Sequence, residues 1–392
     1  MDAARRWSGV VALAVGIFVL ITIEELPIGV LSVMAPDLGV SAGVAGLAVT
    51  VPGVLAGVVA ILTPVIVRGL DRRLVLVLAL GSVVLSCALS VVAPTFAVLL
   101  VARLFAGISI GLYWAVMAIV AIGQVPREHA ARALTVAFSG AGAALVLGVP
   151  VAAWIGTHVG WRSAFAVVGA LAAIVAVLIF VLVRPVHSPV KVTPTMMLAA
   201  ARTRGVRYAV ALTSLVVVAQ FITYAYVSPI LLERAGLPVT QVGPMLLVFG
   251  IAGLLGNFAV APLLHRSAPW GVLVVSGGVG LALLAVLLLM QGSSSALVIM
   301  PLWGLFVGAI SVAIQAFVGT EAADVIEEGT AVNSAVFNTA IAGGAFLGGL
   351  IIDHVGQSAL IATSVVMVAA GVLVAAHYVR TAPTGSAGRA VV

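Results

Sequence analysis

Three ionisable side chains lie deep inside apolar sequence. Glu24 and Glu25 are adjacent in ITIEELPIG (21–29), within an apolar run that extends from about Val10 to Met34, and Arg103 lies in ARLFAGISIGLYWAV (102–116). Adjacent carboxylates held partly out of water can bind and release a proton near neutral pH, because each ionised form is disfavoured by burial and by its neighbour. Successive helix positions differ by about 100°, so the two acids cannot face one partner equally. The expectation is one acid toward a cavity and the other toward a helix interface or water. Pro27 removes a backbone donor and Gly29 loosens the turn, so the helix can bend there, and the carbonyls so freed need polar neighbours.

Of the 392 residues, 63% are hydrophobic and 8% are charged, against roughly 25% charged in soluble domains. A bilayer core takes about 20 apolar helical residues per crossing. Twelve runs meet that length, at 8–33, 44–67, 74–93, 96–123, 131–155, 162–183, 207–232, 240–264, 270–290, 296–319, 329–352 and 357–379. They do not alternate in polarity as barrel strands would, so the expected fold is an all-α polytopic membrane protein. An ionised residue near mid-bilayer costs about 2.5–3.5 kcal/mol, which marks Glu24, Glu25 and Arg103 as functional or paired. A hydrated mouth at the outer end of the first span is the alternative for the acids, and snorkelling to water is the alternative for the arginine.

Arg5 and Arg6 precede an apolar stretch that is too long for a signal peptide, so it reads as a retained span. Fifteen of the eighteen basic residues fall on one side if the N-terminus is inside, with only Arg162 and Arg234 in outer loops; this places both termini in the cytoplasm. The net charge of +6 is spread over short loops, so no nucleic-acid partner is expected. The single cysteine, Cys87, permits no intrachain disulfide.

The polar stretch from Arg184 to Arg207, with Pro185, Pro189, Lys191 and Pro194, divides the spans six and six, and a short surface helix is expected near Met196 to Ala201. The halves resemble one another: LFAGISIG at 104 answers LFVGAISV at 305, and HVGWRSA at 158 answers HVGQSAL at 354. The reading is therefore an N-terminal bundle (1–184), a cytoplasmic linker (185–206), a C-terminal bundle (207–380) and a disordered tail (381–392). Two such repeats around a central cavity are a transporter architecture.

Arg103, Gly107, Gly111 and Trp114 share a helix face whose small residues admit another backbone. Gly140, Ala144, Gly148, Ala152 and Gly156 form a four-residue stripe in the fifth span, answered in the eleventh by Ala340, Gly344 and Gly348 beside Asn333 and Asn338. In the seventh span Gln220, Thr223, Tyr224 and Tyr226 can hydrogen-bond a polar substrate while their rings cover its apolar faces, or can bond one another between helices. No nucleophile and base set, metal-ligand spacing or phosphate loop appears, so neither an enzyme nor an ATP-driven pump is expected, and no cofactor.

With these motifs in place, the chain resembles the major facilitator superfamily, and within it the twelve-span drug:proton antiporters that include sugar-efflux and chloramphenicol-resistance exporters. The group's T-E-F-x-P-x-G pattern lines up with residues 23–29, which selects Glu24 as the matching acid; Glu25 stands where an apolar or aromatic residue is usual. RGLDRRL (68–74) resembles a shortened form of the loop motif after the second span through Gly69, Asp71, Arg72 and Arg73. The resemblance implies a gating role for that loop, a part in proton transfer for Arg103, and a hinge at Gly148 and Pro150, where Val149 separates the usual Gly-Pro.

Together these readings predict a monomeric proton-coupled exporter of a small organic compound such as a drug, sugar or nucleoside, in the cytoplasmic (inner) membrane. Glu24, Glu25 and Arg103 would handle the proton, and Trp114, Gln220, Tyr224, Tyr226, Asn333 and Asn338 the substrate. An uptake carrier or facilitator for sugars or nucleosides is the alternative within transport, and a non-transporting sensor or assembly subunit the alternative outside it.

Overall fold

The computed structural model describes residues 3–67, 70–186 and 194–381, and every element among them is helical. Twelve helices are long and apolar enough to span a bilayer: α1 (Trp7–Asp37), α2 (Ala42–Ala60), α3 (Arg72–Val91), α4 (Phe96–Gly123), α5 (Ala130–His158), α6 (Trp161–Leu182), α7 (Arg204–Tyr224), α8 (Val239–Arg266), α9 (Ala268–Leu289), α10 (Ser293–Glu321), α11 (Ala323–His354) and α12 (Gln357–Thr381). They coincide one for one with the twelve apolar runs. The first is longer than its run, because the helix continues through Ala35, Pro36 and Asp37 after the apolar stretch has ended. A helix also occupies Pro194–Ala200, where the short surface helix is expected. Linker residues 187–193 and the tail beyond Thr381 lie outside the described residues.

The chain divides into two compact units, one of Met1–Lys191 with Val239–Leu247, the other of Val192–Pro238 with Val248–Val392. Large apolar side chains such as Leu78, Val177, Phe258 and Leu373 project from the helices rather than into the interior, as suits a hydrocarbon solvent.

Helix ends are set by local chemistry. Asp71 caps α3 by accepting from the Arg73 amide at 2.9 Å, and Ser41 and Thr95 cap the starts of their helices in the same way. The repeated HVG tripeptide is a turn signal, since Gly160 (φ 110°) and Gly356 (φ 104°) take the left-handed conformation that joins α5 to α6 and α11 to α12.

Small residues fix how the helices meet. A Cβ on Gly140, Gly148 or Gly156 would come within 1.9 Å of the Ala14 carbonyl, 2.0 Å of Thr22 Oγ1 and 2.3 Å of Val30 Cγ1, three pairs each 126 residues apart. The predicted stripe of α5 therefore packs in parallel register on α1. In the second unit, Gly344 meets the Val218 carbonyl and Gly348 the Ile222 carbonyl, each at 2.6 Å and again 126 residues apart. Likewise Gly107 rests on Pro52 and Gly111 on Ala56, while Gly304 rests on Phe249 and Gly308 on Gly253, all 55 residues apart. The likeness of the two halves is thus a likeness of backbone contacts.

Candidate functional site

Glu24 lies near the middle of α1, about 20 Å of helix before Asp37, rather than at a hydrated end. It is 6% exposed, whereas Glu25 is half-buried on another face. Arg103 reaches it from α4 and is fully buried. Its guanidinium donates from Nε to the Ala48 carbonyl (2.7 Å), from one terminal nitrogen to the Ile23 carbonyl (2.9 Å) and from the other to the Glu24 carbonyl (3.2 Å). The positive charge attracts the Glu24 carboxylate through space, while the donors themselves go to main-chain oxygens. One turn apart, Arg103 and Gly107 face α2 together, which is why the small residue lets the long one reach across. Further along α4, Tyr113 donates to the Leu13 carbonyl of α1 at 2.9 Å.

In the second unit, Gln220 and Tyr224 are brought together on α7. Trp303 of α10 donates its indole N–H to Gln220 Oε1 at 2.9 Å. An indole only donates, so the amide orientation is fixed and Nε2 is the remaining donor; that nitrogen is buried with no partner. Tyr224 stacks on Phe249 (5.1 Å between centroids, 20°) and both stand edge-on to Trp303, at 6.0 and 5.4 Å. Gln220 lies 196 residues after Glu24, the same offset that separates Thr22 from Val218 and Gly148 from Gly344 in matching contacts. A neutral amide thus occupies the repeat position of the buried acid.

The other candidates are distributed. Trp114 stacks on Phe138 (5.9 Å, 30°). Tyr226, in the turn after α7, donates to the Ala345 carbonyl, and Asn333 accepts from Thr213 of α7, each at 2.7 Å, so both bonds tie the seventh span to α11. Asn338 donates to the Ser334 carbonyl of its own helix at 2.9 Å. Asp71 also accepts from the Val186 amide (3.1 Å) and pairs with Arg73 (3.4 Å), which donates to the Phe180 carbonyl and lies over the Phe180 ring. Arg72 donates to the Val67 and Leu70 carbonyls. The loop motif therefore ties the start of α3 to the end of α6; Gly69 lies outside the described residues. Gly148 closes a π-helical turn, Ala144–Gly148, just before Pro150, an adjustment that accommodates a proline lacking its N–H.

Sequence reasoning passed over Trp303, Phe249 and Pro52. Trp303 was within reach, since it immediately precedes the GLFVG counterpart of the Arg103 motif. Among the described residues no group of three or more His, Cys, Asp or Glu is placed to hold a metal.

The family model described as Major Facilitator Superfamily matches residues 13–327. The chain is 32% identical over 389 residues to the purine ribonucleoside efflux pump NepI of Salmonella enteritidis PT4, covering 97% of this chain and 96% of that protein. It is equally similar to NepI of Salmonella typhimurium LT2. Among solved structures it superposes with a TM-score of 0.71, at 16% identity, on a bacterial homolog of the human lysosomal transporter Spinster in an inward-facing, unoccupied conformation, covering 96% and 97% of the two chains.

Proposed function

This chain belongs to the major facilitator superfamily of transporters and is a multi-pass membrane protein, and from that premise we propose that it exports a purine ribonucleoside in exchange for protons. The observation that carries the proton half is Glu24: a carboxylate buried in mid-span beside a cationic guanidinium. Such a group changes charge when it is exposed alternately to the two sides of the membrane. Substrate and proton are coupled if they bias the two access states in opposite directions. Arg103 modulates the carboxylate, and half-buried Glu25 serves a lesser role.

The substrate half is supported by Gln220 and its rings together with the printed function of the relatives. A nucleobase is planar and offers carbonyl and ring-nitrogen acceptors, which suit the Gln220 Nε2 donor and the faces of Tyr224 and Phe249. Trp114 and Asn338 are each further candidates for substrate contact within their own halves, whereas Tyr226 and Asn333 make bonds that hold the seventh span to α11. The loop of Gly69, Asp71, Arg72 and Arg73 and the π turn before Pro150 serve the conformational switch. The working unit is one chain in the cytoplasmic (inner) membrane, with bundles 1–184 and 207–380, a linker at 185–206, and both termini inside.

Everted membrane vesicles with an imposed pH gradient and radiolabelled inosine test this reading. Native protein accumulates inosine in the vesicle, Glu24→Gln abolishes the gradient-driven component, and Glu25→Gln retains most of it. Unchanged gradient-driven transport in Glu24→Gln would remove that residue from the mechanism, and net movement in the opposite direction would make the protein an uptake carrier.

A further inference from the structure

Two of the three carbonyls that Arg103 touches have a common history. In an α-helix the carbonyl of residue i accepts from the N–H of residue i+4. Four residues beyond Ile23 is Pro27, and four beyond Ala48 is Pro52; proline has no N–H to give. The guanidinium therefore stands, at 2.9 and 2.7 Å, against two carbonyls on different helices that two prolines have deprived of their donors. In a hydrocarbon surround no water replaces such a donor, so an orphaned carbonyl there is costly. The third bond, to the Glu24 carbonyl, falls on the residue next to Ile23.

We propose that Arg103 is a positioning residue whose planar fork replaces the backbone hydrogen bonds removed by Pro27 and Pro52, and so fixes the Ile23–Glu24 backbone between α2 and α4 with the Glu24 carboxylate held in place. A guanidinium spreads five N–H donors over three nitrogens in a fixed planar array that matches carbonyls on two helices, whereas an ammonium gathers its three donors on one nitrogen that would have to approach every carbonyl itself. The close seat of Gly107 on Pro52, 2.6 Å from a Cβ to the carbonyl oxygen, brings the second helix within that reach.

The second half of the chain is an internal control. At the repeat positions of Pro27 and Pro52 stand Thr223 and Gly253, both of which have an N–H, and at the position of Arg103 stands Gly304. There the backbones touch directly, a Cβ on Gly304 lying 2.2 Å from the Phe249 carbonyl. Where neither proline is present, neither is the arginine. The acid is also replaced there, by Gln220, so a charge role alone accounts for the missing arginine but gives no reason for both prolines to be missing with it.

The test restores the missing donors. Four full-length variants are purified in detergent: Arg103→Met, Arg103→Lys, Pro27→Ala/Pro52→Ala, and the triple variant Arg103→Met/Pro27→Ala/Pro52→Ala. Melting temperature should fall by about 5 °C or more in both arginine variants, change little in the proline pair, and return most of the way to native in the triple variant. Labelling of Glu24 by dicyclohexylcarbodiimide across pH, followed by mass spectrometry, supplies a readout that loss of stability alone would not move: its midpoint should change in Arg103→Lys although the charge is kept. A triple variant no more stable than Arg103→Met would overturn the proposal, as would an Arg103→Lys protein that melts and labels like the native one. Only the labelling arm rests on the reading of Glu24 as proton carrier, so that reading can fail while the melting result stands.

Discussion

At the scale of single residues, the two halves solve one problem with opposite chemistry. Glu24 and Gln220 share a repeat position, and each has a side chain from the fourth helix of its half beside it: the Arg103 cation near the Glu24 carboxylate, and the single indole N–H of Trp303 on the Gln220 amide oxygen. On the proposed reading the first arrangement carries the proton and the second holds the nucleobase. A neutral hydrogen bond contributes about 1 kcal/mol, so Gln220→Ala should raise the KM for inosine roughly fivefold and leave the maximal gradient-driven rate nearly unchanged. A fall in rate with unchanged KM, measured in the same vesicles, would assign Gln220 to the conformational cycle instead. The acids were legible in the sequence because an ionised residue in an apolar run is conspicuous. Gln220 was legible only as one polar residue among several, since its orphaned nitrogen depends on the indole that takes its oxygen, 83 residues away.

Among the helices, glycine sets register. The stripe Gly140, Ala144, Gly148, Ala152, Gly156 was visible as a period of four, but its partner was not, because a small residue says that something comes close without saying what. The structure gives the partner as α1, in a register that leaves Glu24 just past the Thr22 and Gly148 contact. A valine at 148 would force its side chain into Thr22 Oγ1, 2.0 Å from the Cβ position. Gly148→Val should therefore destabilise the protein by about 1–3 kcal/mol and lower its yield in the membrane; Gly277→Val, where a Cβ meets nothing within 4 Å, is the matched control. Melting of the two purified variants checks the difference, and equal losses would deny the stripe its role. The π turn beside Gly148 escaped sequence reading for another reason: Pro150 announces a break in the hydrogen-bond ladder but not which way the chain resolves it.

For the whole molecule, twelve spans and their order followed from counting apolar runs, which works because a bilayer leaves the backbone few choices. The ties at the helix ends required the structure. Asp37 accepts from Trp161 (2.9 Å) and pairs with Arg162 (2.5 Å), which donates to the Ala93 carbonyl (2.9 Å). In the second unit Arg234 donates to the Val286 carbonyl (3.2 Å) and to Ser358 Oγ (3.3 Å). These are the two basic residues that the charge count left on the minority side, and each fastens three helix ends of its own half. The repeat has therefore kept its scaffold while changing its chemistry, since among the described residues Glu24 is the only buried carboxylate. That asymmetry has an electrical consequence. If one acid takes one proton per cycle while the cargo is uncharged, each turnover moves a single positive charge across the membrane. A potential of about 100 mV contributes about 2.3 kcal/mol to that movement, enough to sustain roughly a fiftyfold concentration ratio of a neutral nucleoside with no pH difference at all. A valinomycin-imposed potassium potential should accordingly drive inosine transport in proteoliposomes, with a current that vanishes in Glu24→Gln. Transport indifferent to voltage would mean that the charge is balanced by a second ion.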